Sequence, residues 1–234
     1  LRYEQGKVYF EAGRKDEAAG WWAMALRFDP DHYPARVCLA NYYLAKGESD
    51  KADYHRSMLA RVAPKFYDNL WKDLNHDHLA GVREGLPWLA NHSPLKERAE
   101  LLTLGLAIAE NRDLPSAVAG LKRLAEYQQL RLPALTLLGE AHRKMGNYAV
   151  SRRAFQDALV IDSRDSAVQW GMQKLCREIG SYAEMELHLR KAAELDIADF
   201  RPHRALGDWH KQQQNWSQAL QDYQESMRRS PGQV

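Results

Sequence analysis

The feature that most limits what this chain can fold into is an internal period of 34 residues, measured by two independent rulers. Leu104-Gly105 is followed 34 residues later by Leu138-Gly139, and Leu206-Gly207 stands two periods further on, with Met172-Gln173 in the place of the missing pair. The second ruler is glycine alone: Gly13 to Gly47 and Gly146 to Gly180 are again 34 apart. A repeat of this length marks a chain that stacks one supersecondary unit on the next.

Each period holds two apolar-periodic stretches separated by a short turn with Gly, Asn or Asp, which is the pattern of a helical hairpin. In the second stretch a small residue recurs at Ala18, Ala52, Ala117, Ser151 and Ala219. Four residues after most of these comes a large one: Trp22, Leu121, Phe155 and Tyr223. Residues i and i+4 share a helix face. The small residues therefore let two helices approach, while the large ones fill the groove towards the next hairpin. Pro30, Pro64 and Pro231 are expected to end second helices, because proline disfavours a helical residue before it.

Composition agrees with an all-α chain. Ala, Leu, Glu, Lys, Arg and Gln dominate the long stretches, and these are good helix formers. Charged residues make up 27% of the 234 residues and no apolar run approaches the roughly 18 to 20 residues of a membrane helix, so the chain reads as soluble. A formal net charge of +2 is too near balance to imply nucleic acid or an acidic membrane on global grounds. Cys38 and Cys176 lie far apart, inside helical patterns and without metal spacing, and read as buried thiols. The sequence opens at Leu1 with no basic or apolar leader, so it reads as a piece of something longer, cytoplasmic by default.

A 34-residue hairpin with Leu-Gly early, a small residue in the second helix and proline at the exit resembles the tetratricopeptide repeat. The expected fold is then an all-α solenoid, a right-handed superhelix of about seven antiparallel hairpins. The repeats fall at about 1–32, 33–66, 98–131, 132–165, 166–199 and 200–233. A degenerate unit occupies 67–97, with Leu70, Trp71 and Leu74 in a brief first helix, a turn at Asn75-His76-Asp77-His78, and Val82, Leu86 and Leu89 in a second helix kinked by Pro87. Gln173 and Met185 depart from the pattern, so the hairpin at 166–199 is expected to be more loosely spaced. No polar capping helix is visible at either end, and one unbroken solenoid without separate domains is the expected organisation.

The resemblance implies that first helices line the concave surface, where a partner lies. Counting along them gives Thr136, Glu140, Arg143, Trp170, Lys174, Arg177, Arg204, Asp208 and Lys211 in the C-terminal half, a basic row with a tryptophan in it. The same count in the N-terminal half gives Tyr3, Lys7, Phe10, Val37, Asn41, Leu44, Leu102 and Leu106, a more apolar row. The candidate partner-binding residues are Lys7, Asn41, Glu140, Arg143, Trp170, Lys174, Arg177, Arg204, Asp208 and Lys211, expected to hold a protein or peptide, acidic in character. A solvated face whose charges pair with each other is the plainer alternative. One variety of the family clamps the C-terminal carboxylate of chaperones with lysines and asparagines; Lys7 and Asn41 stand at such places, but Tyr3, Cys38 and the degenerate third unit do not complete the set.

Other constellations carry less. His76 and His78 flank Asp77, too few ligands for a metal. His142, His203 and His210 stand where aromatics are expected and read as satisfied core histidines. No nucleophile elbow, zinc-protease, phosphate-loop, dinucleotide or haem motif occurs, so neither catalysis nor a cofactor is expected. The leading reading is a protein-interaction scaffold within a larger protein or complex. The alternatives are an RNA-binding helical repeat, or a regulatory or docking domain of an enzyme beyond this stretch of sequence.

Overall fold

The computed structural model describes residues 1–75, 79–92 and 96–229, which fold as 13 α-helices and one short 3-10 turn, with no strand among them. They gather into two compact units, Leu1–Ala109 and Glu110–Val234. The first holds α1 (Arg2–Glu11), α2 (Lys15–Phe28), α3 (Tyr33–Ala45), α4 (Ser49–Asn75), α5 (Leu79–His92) and α6 (Lys96–Ala109). The second holds α7 (Leu114–Leu124), the 3-10 turn Gln128–Leu130, α8 (Arg131–Lys144), α9 (Tyr148–Ile161), α10 (Ser166–Glu178), α11 (Tyr182–Leu195), α12 (Arg201–Gln212) and α13 (Trp216–Arg229). The unit boundary falls inside the repeat read at 98–131.

The period is visible in the turns. Gly13, Gly47, Gly146 and Gly180 all have φ of 75 or 76°, the left-handed region that closes a helix without a Cβ clash. Each turn also closes with the same backbone pair: Gly13 N–H donates to the Phe10 carbonyl at 3.0 Å and Arg14 to Tyr9 at 2.9 Å, and Gly146 and Asn147 repeat this on Arg143 and His142 at 3.0 and 2.8 Å. The last hairpin makes the turn with Gln214 at φ 59°.

Hairpins close around the small-and-large pattern. Ala18, Ala52 and Ser151 are fully buried, and the Ser151 hydroxyl donates to the Gly139 carbonyl at 2.7 Å, tying α9 to α8. Aromatics four residues further on lie over glycines of the first helices. A Cβ on Gly6 would stand 2.3 Å from Trp22 Nε1, one on Gly139 2.6 Å from the Phe155 ring, and one on Gly207 2.7 Å from Tyr223. Phe155 also covers Gly171, whose Cβ would lie 2.5 Å away. That glycine sits two residues before Gln173. The hairpin of α10 and α11 packs as extensively as its neighbours, so the looser spacing expected there is not found. Gln173 and Met185 are both buried, and the flexible methionine fills the gap beside Cys176, Leu189 and Leu206.

Pro30 lies just beyond α2, as a helix-ending proline should, but Pro64 does not end a helix. The α4 helix runs through it for 27 residues. Leu70, Trp71 and Leu74 therefore belong to the continuation of α4 and not to a separate first helix. The reason is packing: Leu59, Val62, Ala63, Tyr67, Leu70 and Leu74 form one buried stripe across the proline, while Pro64 and Ala60, whose carbonyl loses its donor, face solvent. Pro64→Ala restores that hydrogen bond and is expected to stabilise the chain by about 1–2 kcal/mol, the helix gain less the entropy proline removes from the unfolded chain. A urea midpoint that does not rise would contradict this account. The α5 helix also continues past Pro87. Residues 76–78 and Pro231 lie outside the described residues, as does the side chain of Leu89.

Candidate partner-binding face

Within the second unit, α8, α10 and α12 are the first helices of their hairpins, and residues spaced i, i+4, i+7 along each share a face. On α8 the row begins with Thr136, which is buried and donates its hydroxyl to the Leu132 carbonyl at 2.9 Å. It packs; it does not face a partner. Next come Glu140 and Arg143, held together by two parallel hydrogen bonds, Nε to Oε2 at 3.0 Å and Nη2 to Oε1 at 2.6 Å. Arg143 also donates to Glu178 at the end of α10. The Arg143 side chain is only 12% exposed, with Glu140 at 19% and Glu178 at 31%. Burial pushes the Glu140 carboxyl up, but the Arg143 hydrogen bonds and the charges of Lys174 and Lys144 outweigh it and hold the group below its usual range.

On α10, Trp170 is half-buried and lies under two cations, Lys174 Nζ at 5.9 Å and the Arg201 guanidinium at 5.1 Å from the ring centroid. Lys174 reaches Glu140 as well, at 3.7 Å, and Arg201 is fixed by Asp199 at 2.8 Å. Arg177 is exposed. On α12, Arg204, Asp208 and Lys211 are exposed, and Asp208 accepts the Tyr223 hydroxyl at 2.8 Å. The expected basic row therefore divides. Arg143 and Lys174 are neutralised within the fold, whereas Arg177, Arg204 and Lys211 make no ion pair among the described residues.

In the first unit, Lys7 on α1 bridges Glu4 at 3.0 Å and Glu84 at 3.5 Å, and Asn41 is exposed on α3. Tyr3, Val37, Leu102 and Leu106, counted with them as an apolar surface, are buried, leaving Phe10 and Leu44 as the exposed apolar members. That row is largely core. His210 is buried against Asp222 at 2.7 Å, and half-buried His203 approaches the other oxygen of Asp222 at 3.4 Å, which fits satisfied histidines. His142 does not fit: its buried Nδ1 has no partner among the described residues, and burial with nearby Lys122 pushes its pKa down. Both cysteines are free thiols, Cys176 buried and Cys38 half-buried; burial pushes Cys176 up to about 11 and Cys38 up to about 12.

No family model and no curated protein matches the chain in sequence. Solved structures match it in fold. A tetratricopeptide repeat protein from Parabacteroides merdae superposes with a TM-score of 0.57 at 15% identity, over 98% of this chain and 92% of that one. The fold is the tetratricopeptide-repeat fold. PilW, a type IV pilus biogenesis factor, superposes at a TM-score of 0.51 and 12% identity over 99% and 93% of the two chains. The Cut9–Hcn1 hetero-tetramer of the APC/C gives 0.50 at 16%, where the whole of this chain spans 40% of its counterpart.

Within a tetratricopeptide-repeat hairpin the counted positions thus separate by burial and pairing in a way that a single row per helix does not capture. Arg201 and Glu178, which shape the face around Trp170 and Arg143, lie off the counted rows. Their partners are distant in sequence or beyond the helix start, so helix periodicity alone gave no signal for them. Among the described residues no group of three or more His, Cys, Asp or Glu side chains could hold a metal ion, and no helix is long and apolar enough to cross a membrane.

Proposed function

We propose that the chain is a protein-interaction scaffold that holds an acidic segment of a partner protein against the first-helix face of its second unit. The observation that carries this is the set of three exposed cations without internal partners, Arg177, Arg204 and Lys211, on one face of α10 and one face of α12. Half-buried Trp170 stands one helical turn from Lys174 and two from Arg177, a rigid apolar floor beside the charges. Exposed guanidinium and ammonium groups with no carboxylate of their own are available to one supplied by a partner, and the neutralised Arg143 and Lys174 position the surface without adding net charge. The solved proteins of this fold named above include a subunit of an assembly and a pilus biogenesis factor, which agrees with a role in assembly.

An RNA-binding reading requires a ring face on which a base can stack. Lys174 and Arg201 already lie against the Trp170 ring, so a stacking base would have to displace them, whereas an acidic segment can pair beside the ring without doing so.

The test is the triple variant Arg177→Glu, Arg204→Glu, Lys211→Glu. Because all three are exposed and unpaired, helicity by circular dichroism should be unchanged. The affinity for a fluorescein-labelled glutamate-rich 12-residue peptide should fall roughly 100-fold, about 1 kcal/mol for each reversed charge. Equal affinity in the variant would place the binding surface elsewhere. A labelled single-stranded RNA bound more tightly than the peptide would favour the nucleic-acid reading.

A further inference from the structure

Among the described residues, three helices have an N-cap side chain that accepts a backbone N–H of the first turn. Asp113 on α7 and Asp165 on α10 do so with a carboxylate, and His32 on α3 does so with an imidazole. His32 and Asp165 hold the same position of the repeat, each fifteen residues before the glycine that closes its first helix, Gly47 or Gly180. The exchange of residue type changes what the cap can do. An ionised carboxylate accepts the N–H and suits the positive end of the helix dipole. An imidazole accepts only while it is neutral, because the proton it gains occupies the accepting nitrogen, and the resulting cation then faces that same positive end.

His32 Nδ1 accepts the Ala35 N–H at 3.2 Å, which assigns the proton of the neutral ring to Nε2. The ring packs on Tyr3 of α1, with centroids 4.9 Å apart, and it lines a cavity of about 370 Å³ in the first unit, through which a proton can reach it from water. The turn it caps holds more than its own backbone. Tyr33 is 1% exposed and stacks on Phe66 of α4 at 4.6 Å, and buried Arg36 donates from Nε to the Pro30 carbonyl at 2.9 Å. Opening the first turn of α3 therefore disturbs its contact with α4 and the loop that leads into it.

Several charges act on the ring. Burial is the largest effect and disfavours its charged form; Asp29 and the carbonyl of His32 itself favour that form, the Leu1 ammonium opposes it and Glu4 favours it. The net result holds the ring below the ordinary histidine range. Asp31, Asp73 and Glu84 line the same cavity and are engaged elsewhere: Asp31 pairs with Lys65 at 2.9 Å and feels Arg61 and Arg36, Glu84 meets Lys7 at 3.5 Å, and Asp73 has an interaction of its own.

We propose that His32 is an acid-released cap. Neutral, it closes the first turn of α3. Protonated, its ring leaves the Ala35 N–H and turns to the carboxylates of Asp29 and Glu4, and the turn opens together with the Tyr33–Phe66 contact. The folded ring takes its proton less readily than the unfolded one. The stability contributed by the cap is therefore fully present above the ordinary histidine range and is lost as pH falls from that range through the lower folded value. In the second unit the equivalent cap is the Asp165 carboxylate, so the response at this position belongs to the first unit.

The test is an NMR titration of the full chain from about pH 8 to about pH 4.5, a range that spans histidine ionisation. It follows the ring nitrogens of His32 and the amide of Ala35, beside the variant His32→Asn, which keeps a neutral acceptor at every pH. At the upper end the ring should carry its proton on Nε2, and on acidification the Ala35 amide shift should move with the same midpoint as the ring. Hydrogen-exchange protection at Ala35, corrected for the intrinsic dependence of exchange on pH, should fall about fivefold over the titration, the equivalent of one ordinary N-cap. In His32→Asn that fall should be absent. A ring proton on Nδ1 at the upper end, an Ala35 amide that does not follow the ring, or an equal loss of protection in His32→Asn would overturn the assignment. If the variant does not fold, the tautomer and the shared midpoint in the unaltered chain decide.

Discussion

Phe155→Ala is expected to lower the unfolding free energy by about 3–5 kcal/mol, the range for deleting a fully buried aromatic side chain. Phe155 is 0% exposed and packs with Ala158, Val168, Met172 and Leu175. What places the cost at the upper end is the surface on which the ring sits. Gly139 and Gly171 have no side chains with which to collapse into the space, and neither can acquire one while the ring is present, since a Cβ would stand 2.6 or 2.5 Å from it. The cavity left by truncation would therefore stay open. Phe155 also joins α9 both to its own first helix and to that of the next hairpin, so its loss weakens a nearest-neighbour interface as well as one hairpin. Urea denaturation followed by circular dichroism should show a large fall in midpoint with a broadened transition. A loss below about 1 kcal/mol would mean that the glycine floor collapses after all.

The same site shows what the sequence disclosed. The 34-residue period, the turn glycines and the small residue followed four positions later by an aromatic are local signals, and each corresponds to a local structure: a left-handed turn, a close helix approach, a ring over a glycine. Signals failed where a tertiary effect outweighed a local one. Pro64 carries the correct local penalty, yet the buried stripe from Leu59 to Leu74 holds the helix together across it. Gln173 holds the register of the repeat's glycine, but the glycine that matters is Gly171, two residues earlier, because the ring it receives comes from the preceding hairpin.

The candidate face was legible as residue types and not as charge states. Glu140 and Arg143 are three apart on one helix, a spacing at which pairing is readable in advance. Glu178, 35 residues from Arg143, is not. Thr136 and Tyr3 illustrate the same limit from the packing side, since their helix positions matched those of exposed residues while their side chains are buried.

The pairing of Arg143 leads to a result opposite to the one expected for a residue that holds a partner. Arg143→Met should destabilise the fold by about 2–3 kcal/mol at pH 7, somewhat less than the 3–5 kcal/mol for a fully buried pair because water reaches Glu178. The cost arises from Glu140 and Glu178, which lose their common donor, and its pH dependence identifies it. In the unaltered chain the Glu140 carboxyl is held below the ordinary glutamate range, so its stabilising contribution is fully present above that range and is lost as pH falls through the lower folded value. In the variant the balance reverses: burial without Arg143 pushes Glu140 up, the penalty is present at neutral pH, and stability is regained as pH falls through that raised value. The two stability curves should therefore converge as pH falls from neutral, first through the raised value of the variant and then through the lowered value of the unaltered chain, and adding Glu140→Gln to the variant should recover part of the loss at pH 7. A deficit that stays constant from pH 7 to pH 3 would mean that Arg143 contributes through packing of its stem alone. Convergence would show instead that this arginine is committed to the fold, which is why the charge reversal that tests partner binding is placed on Arg177, Arg204 and Lys211 and not on Arg143.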